Sequence, residues 1–265
     1  MTFVDGLMGG TIVAILIFAA AWRFAVKIDN YSIVDAVWAF SIGLISFGWL
    51  AFSSTYKSWV MGGMVMLWAL RLGIHLEGRI RKLHPSEDSR YRKLRKMWSG
   101  RMGISFFVFF QIQAVSVILL SLPFLVVATG KPESMGILEW AGMAVFLVGL
   151  IGETVADRQM KDFKAAHLSS GSVCDEGLWR YSRHPNYFFE FVIWLGFYLY
   201  ACGSPWGWAT FHAPALMVYL LTKVSGIPAS EASSIQSKGD AYRTYQSTTN
   251  AFVPWFPRSS EKTIP

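Results

Sequence analysis

Leu7-Met8-Gly9-Gly10-Thr11-Ile12-Val13-Ala14-Ile15-Leu16-Ile17-Phe18-Ala19-Ala20-Ala21-Trp22-Arg23-Phe24-Ala25-Val26 decides the fold class. Its single charge, Arg23, lies near the end of the run. A helix rises about 1.5 Å per residue, so roughly 20 apolar residues cross a hydrocarbon core about 30 Å thick. Six further runs follow: Ile33 to Phe52, Trp59 to Leu76, Met102 to Ala128, Ile137 to Ala156, Tyr187 to Cys202, and Trp206 to Val224. Pro214 interrupts the last, which a membrane helix tolerates when neighbours re-satisfy the freed backbone groups. The sequence predicts an all-α, polytopic membrane bundle of about seven spans. Met1-Thr2-Phe3-Val4-Asp5 lacks the basic region of a cleavable leader, and the first run is long enough to span, so it reads as a span.

Composition agrees. Of 265 residues, 53% are hydrophobic and 15% charged, against about 25% charged in soluble domains. Disorder needs the opposite balance. Two cysteines cannot make a disulfide scaffold. Cys174 and Cys202 fall on opposite predicted sides of the bilayer, beyond bridging distance.

The formal charge of +7 is mostly an orientation signal. Cytoplasmic loops of membrane proteins collect Lys and Arg. Seven spans with the N-terminus outside and the C-terminus in the cytoplasm put every basic residue but Lys57 and Lys131 inside, down to Lys262 in the tail. This predicts an integral membrane protein whose basic loops face the cytoplasm, in contact with anionic lipid. Nucleic acid is excluded as a partner: the basic residues lie between spans, and no nucleic-acid module appears. Glu87-Asp88-Ser89-Arg90-Tyr91-Arg92-Lys93-Leu94-Arg95-Lys96-Met97-Trp98 predicts an interfacial amphipathic helix, with Tyr91, Leu94 and Trp98 on its anchoring face. The five histidines show no zinc spacing, so no metal site is expected.

The chemistry concentrates after residue 150. Glu153, Asp157, Lys161 and Lys164 recur at helical spacings of four, four and three, hence on one face. Acids sit on its membrane side and bases on its cytoplasmic side. That order suits a ligand with hydroxyl donors and phosphates; a self-paired helix end is the plain alternative. Next comes Gly177-Leu178-Trp179-Arg180-Tyr181-Ser182-Arg183-His184-Pro185-Asn186-Tyr187-Phe188-Phe189-Glu190. Arg binds phosphate through its planar fork. Pro185 pre-sets the start of a helix whose free N–H groups suit an anion. Asn186 both donates and accepts, as recognition of a carboxamide requires. Glu190, one turn into an apolar run, needs a partner. Glu231, Tyr242 and Tyr245 in the tail could close over such a ligand.

Gly177 to Glu190, the face before it, and Glu231…Tyr242-x-x-Tyr245…Pro254 resemble the C-terminal half of the steroid 5-alpha-reductase and sterol-reductase superfamily, most of all its bacterial steroid 5-alpha-reductase-like members. The likeness covers about residues 150–257 strongly. Before that it rests on Asp35-x-x-Trp38, Trp68-x-x-Arg71-Leu72 and Glu87-Asp88-x-Arg90-Tyr91.

The resemblance implies a single membrane domain in two halves. Residues 1–130 would form the substrate side, and 131–265 would bind NADPH. It implies that Asn186 and Glu190 hold the nicotinamide carboxamide, with Asp157 and Glu153 near the ribose or pyrophosphate. Lys161, Lys164, Arg180 and Arg183 would contact phosphates, the 2′-phosphate included. Trp179, His184, Tyr187, Glu231, Tyr242 and Tyr245 complete the expected cofactor site. The implied reaction is hydride transfer to a carbon–carbon double bond of a lipophilic substrate (steroid-like, enone or isoprenoid) that enters from the bilayer. Tyr187, Glu190, Asp35, Arg71 and His75 are the catalytic candidates; Asp35 and Arg71 could equally be a structural ion pair at the rim.

Two other classes stay open. Arg183-His184-Pro185-x-Tyr187 also occurs in S-adenosylmethionine-dependent isoprenylcysteine carboxyl methyltransferases, although that cofactor has no phosphate for the basic cluster to neutralise. A non-catalytic lipid-binding protein would leave buried Glu153 and Glu190 as an unexplained cost.

Overall fold

The computed structural model describes residues 1–130, 134–167 and 171–258; Lys131 and Lys262 lie outside them. Among the described residues the chain is helical and has no strand. It is the helical membrane bundle that the apolar runs predict. Five helices are long and apolar enough to cross a bilayer: α1 (Phe3–Lys27), α2 (Ile33–Ser53), α3 (Tyr56–Leu83), α5 (Met102–Thr129) and α6 (Ile137–Ala166). Between α3 and α5 lies the short α4 (Ser89–Met97).

The two remaining runs take other forms. The run at 187–202 is α7 (Pro185–Ala201), a 17-residue helix. The run at 206–224 is broken. A 3₁₀ turn covers Gly207–Phe211, α8 covers His212–Tyr219, and a π turn covers Leu220–Val224. Pro214 is the physical cause at the start: it has no N–H and is accommodated only in the first turn of α8. Trp206 precedes the 3₁₀ turn with φ +66°. The tail forms α9 (Ile227–Lys238) and α10 (Asp240–Thr248).

The chain divides into two compact units. The first comprises Met1–Ala141 and Phe197–Ala213, the second Gly142–Gly196 and Pro214–Pro265.

In the first unit α2 packs against α3 and α5, and α1 against α5 and α2. Phe18, Ile42, Leu50, Met61, Trp68 and Phe124 are fully buried. Small residues set the helix spacing: a Cβ on Gly10 would come within 2.2 Å of the Trp49 ring. Phe197 joins this core, edge-on to both Trp68 and Phe124, which explains why the end of α7 belongs here. At one end Lys57 and Glu139 form a buried ion pair, and the Tyr200 hydroxyl donates to the Lys57 carbonyl at 2.9 Å. The outer faces remain apolar: Met8, Ile12 and Leu16 of α1, and Ile104, Val108 and Ile112 of α5, are exposed, as faces turned to lipid must be. An apolar groove of about 480 Å³ runs among α1, α2 and α3, lined by Ile17, Val37, Phe40, Leu44, Met66 and Leu70.

The segment leading into α4 does more than anchor a surface helix. Buried Glu87 accepts from the Tyr31 backbone N–H and from Arg95 Nε at 2.6 Å. Buried Asp88 caps α4 through the Arg90 N–H at 2.9 Å, and its own N–H donates to Ser32 Oγ at 3.2 Å. Asp88 also pairs with Arg79 and Arg90. These bonds clamp α4 onto the turn between α1 and α2. Tyr91, expected at the lipid interface, is instead buried, because its hydroxyl donates to Asp35 at 2.6 Å.

Candidate functional site

The second unit carries every residue expected to bind cofactor. Its frame is a close crossing of α6 and α7. A Cβ on Gly152 would lie 2.3 Å from the Phe189 ring, and one on Gly196 would lie 2.6 Å from the Phe146 backbone. Only glycine lets the two helices approach this far. The crossing brings Asp157 of α6 beside Asn186, second residue of α7, whose Nδ2 donates to Asp157 Oδ1 at 3.3 Å. The other end of that carboxamide, Asn186 Oδ1, is buried and has no hydrogen-bond partner among the described residues. One turn further along α7, Glu190 is buried and accepts from the Trp194 indole N–H at 2.9 Å. Glu153 is buried one turn before Asp157.

The loop between the helices is fixed from below. Gly177 has φ +55°, and a Cβ there would come within 2.4 Å of the Gln159 side chain. That leaves the Leu178 N–H free to donate to Gln159 Oε1 at 3.0 Å. The Trp179 indole donates to the Ala156 carbonyl at 2.9 Å. Trp179 is thus a strut against α6 rather than an open stacking face.

The tail is tied to this loop by a second network centred on Arg183. Its Nε and Nη2 contact Glu231 Oε1 at 2.7 and 2.6 Å. Its Nη1 donates to the carbonyls of Gln246, at 3.1 Å, and Thr249. Gln246 Nε2 donates to Glu231 Oε2 at 2.8 Å, and buried His184 turns Nε2 towards Glu231 at 3.4 Å. Burial would raise the Glu231 carboxyl. Hydrogen bonds from His184 and Arg183, with the Arg183 charge, outweigh it and hold the group at about 2. The Tyr245 hydroxyl donates to the carbonyls of Trp179 and Ser182. Main-chain bonds Arg183 N–H to Asn250 O and Trp255 N–H to Tyr181 O, both 2.8 Å, finish the clasp. Burial, then the Glu231 charge, push the Tyr242 phenol up to about 12.

Arg183, Glu231 and Tyr245, expected on the ligand, are thus committed to holding the tail on the loop. Lys161, Lys164 and Arg180 are exposed, with their ammonium and guanidinium groups in no ion pair among the described residues. Tyr187 is half-buried, its ring stacked 5.3 Å from His184. Three catalytic candidates belong to the first unit. There Asp35 is bound by Arg90 Nη2 at 2.7 Å and by Tyr91, Arg71 is half-buried, and His75 is exposed on α3.

Sequence reasoning missed Trp194, Gln159 and Gln246. Trp194 was open to detection, since it stands four residues after Glu190 on one helix face. Gln159 and Gln246 carry no such mark.

A family model described as "Protein of unknown function (DUF1295)" matches residues 21–249. An uncharacterized protein of Schizosaccharomyces pombe, C594.04c, is 25% identical over 275 residues, covering 92% of this chain and 78% of its own. No solved structure matches. The family match spans most of the sequence: the chain belongs to the DUF1295 family.

Proposed function

We propose that this DUF1295 protein is a membrane-embedded, NADPH-dependent reductase acting on a carbon–carbon double bond of a lipophilic substrate, similar to the steroid 5-alpha-reductase-like enzymes. The observation that carries this reading is Asn186 Oδ1. A buried amide oxygen without a donor costs about 1–3 kcal/mol, and a ligand bearing an N–H₂ group removes that cost. The carboxamide of nicotinamide is such a ligand. Asp157 fixes the orientation of Asn186 from behind.

The surrounding residues fit the rest of the molecule. Asp157 and Glu153 offer acceptors for ribose hydroxyls. Lys161, Lys164 and Arg180 offer exposed cations for phosphates, the charge-assisted pairing that phosphate recognition uses. Arg183 and Glu231 are positioning residues: they hold the tail and the start of α7, and so keep Asn186 in place. Bound there, NADPH supplies hydride to one carbon of the double bond. A donor from the chain polarises a conjugated carbonyl and stabilises the enolate, and a proton then reaches the α-carbon. Tyr187, one residue after Asn186, holds a phenolic proton suited to this; Asp35, Arg71 and His75 are the candidates from the first unit. The groove among α1, α2 and α3 has the size and apolar lining of a lipophilic ligand site. The positive-inside pattern of the sequence supports a cofactor site facing the cytoplasm from an inner membrane.

The test is a thermal-shift comparison of purified protein in detergent with NADPH, NADH and S-adenosylmethionine. Stabilisation by NADPH, reduced at least tenfold in affinity by Asn186→Ala, supports the reading. Stabilisation by S-adenosylmethionine with none by NADPH overturns it in favour of a methyltransferase.

A further inference from the structure

We propose that Tyr181, Val253, Trp255 and Phe256 form a membrane-docking surface, which takes the headgroup region of the bilayer as its partner and thereby holds the tail closed on the loop.

All four side chains are large and exposed, Trp255 at 66% and Phe256 at 73%. They lie outside the helices long and apolar enough to span, so hydrocarbon along a span does not account for their exposure. Contacts make them one patch. The Trp255 N–H donates to the Tyr181 carbonyl at 2.8 Å. The Phe256 ring stands edge-on to Tyr181, centre to centre 6.0 Å, and to Trp255 at 6.2 Å. Val253 adjoins them in the same stretch of tail.

Phe252 fixes what the patch meets. Its ring packs against Phe188 and Phe191, at 5.9 and 6.2 Å. Those two belong to the first and second turns of α7, where the apolar run begins at Tyr187. Such a run starts where headgroups give way to hydrocarbon, so the residues after Phe252 stand at that boundary. Their backbone suits a place short of water. Pro254 and Pro257 have no N–H, and the N–H groups of Trp255 and Arg258 are bonded, the second to the Thr248 carbonyl at 2.8 Å. Trp and Tyr, apolar with a polar tip, are the side chains that collect at this depth.

Loop and tail each supply part of the patch: Tyr181 belongs to the loop, the other three to the tail. The patch is therefore whole only while the two are clasped. A bilayer that binds the closed form and not the open one shifts the equilibrium towards the closed form. Lipid thus acts on the clasp in addition to the Arg183–Glu231 pair.

The experiment uses the full chain in nanodiscs of phosphatidylcholine. p-Benzoylphenylalanine in place of Phe256 is photolysed and its adducts are identified by mass spectrometry, with the same amino acid in place of exposed Gln236 on α9 as the control. Phospholipid adducts should form at 256 several-fold more than at 236. Chain-to-chain adducts would overturn the bilayer as partner in favour of a second copy of this chain. Adducts no more frequent than the control would leave the patch to solvent and overturn docking. The second measurement is hydrogen exchange at the Arg183 amide, which donates to the Asn250 carbonyl and which the variants leave in place. Trp255→Ser together with Phe256→Ser should lower its protection in nanodiscs by about tenfold to a hundredfold. The loss should shrink in amphipol, which wraps the spans but offers no headgroup layer. Protection within about threefold of wild type in nanodiscs, or an equal loss in both media, would overturn the action of lipid on the clasp.

Discussion

Replacing Glu231 by alanine should release the tail while leaving the membrane helices intact. The carboxylate accepts two bonds from Arg183, at 2.7 and 2.6 Å, one from Gln246 at 2.8 Å, and faces His184. The side chains of Arg183 and Glu231 are only 11% and 17% exposed. Removing one member of a buried pair costs about 3–5 kcal/mol, since the other charge stays behind. Residual exposure and the carbonyls still bound to Arg183 Nη1 put the loss near the lower end, about 3 kcal/mol. At about 1.4 kcal/mol per factor of ten, the open tail becomes roughly a hundred times more populated. Hydrogen exchange followed by mass spectrometry reads this at the amides of Arg183 and Trp255, which bridge loop and tail. Protection there should fall by about that factor, with α2 and α5 unchanged. Protection within about threefold of wild type would refute the reasoning, because the Arg183–Glu231 contact would then not be what holds the tail.

Acid should act on the same contact. The folded Glu231 titrates at about 2, below the roughly 4.3 of an unperturbed glutamate; the stability it contributes is full above the higher value and disappears as pH falls towards the lower. Tail amides should lose protection between about pH 4.5 and 2, and Glu231→Gln should flatten that profile. Tyr91→Phe removes the 2.6 Å bond to Asp35 and should lower the melting temperature by an amount equivalent to about 1–3 kcal/mol, whereas an unchanged melt would mean that Arg90 alone satisfies Asp35. Gly152→Ala sets a methyl 2.3 Å from the Phe189 ring. It should cost about 1–3 kcal/mol through overpacking and weaken NADPH by moving Asn186; a melt and an affinity equal to wild type would show that the crossing is looser than described.

The length of uninterrupted apolar runs made the membrane helices legible. The run Leu7 to Val26 became Phe3–Lys27, and Met102 to Ala128 became Met102–Thr129. Hydropathy follows the solvent, and a bilayer is a uniform one. It failed where local chemistry overrode hydropathy. The run 206–224 looks like the others until Pro214 and the left-handed Trp206 break its hydrogen-bond ladder. In the candidate site, sequence singled out Asp157 and Glu190 as ionisable residues too costly to place beside hydrocarbon without a purpose, and Asn186 as a group that both donates and accepts. It could not assign partners. That Asp35 would meet Tyr91, and Arg183 meet Glu231, depends on loops returning across tens of residues, and no spacing rule encodes such a return.

The clasp between the loop at 181–183 and the tail also sets an order of events during synthesis. Arg183 bonds to Thr249 across 66 positions, and a ribosome adding roughly 5–20 residues per second needs roughly 3–13 s to cover that stretch. Throughout that interval the start of α7 is made but its clasp does not yet exist. The guanidinium of Arg183, the His184 ring and the acids of α6 are then exposed to whatever chaperone or lipid is near. Nascent chains stalled before Asn250 should therefore carry inserted helices with an unformed second unit. The same logic makes the residues around Asn250 a poor place to fuse or truncate, although they lie far along the chain from Asn186 and Glu190.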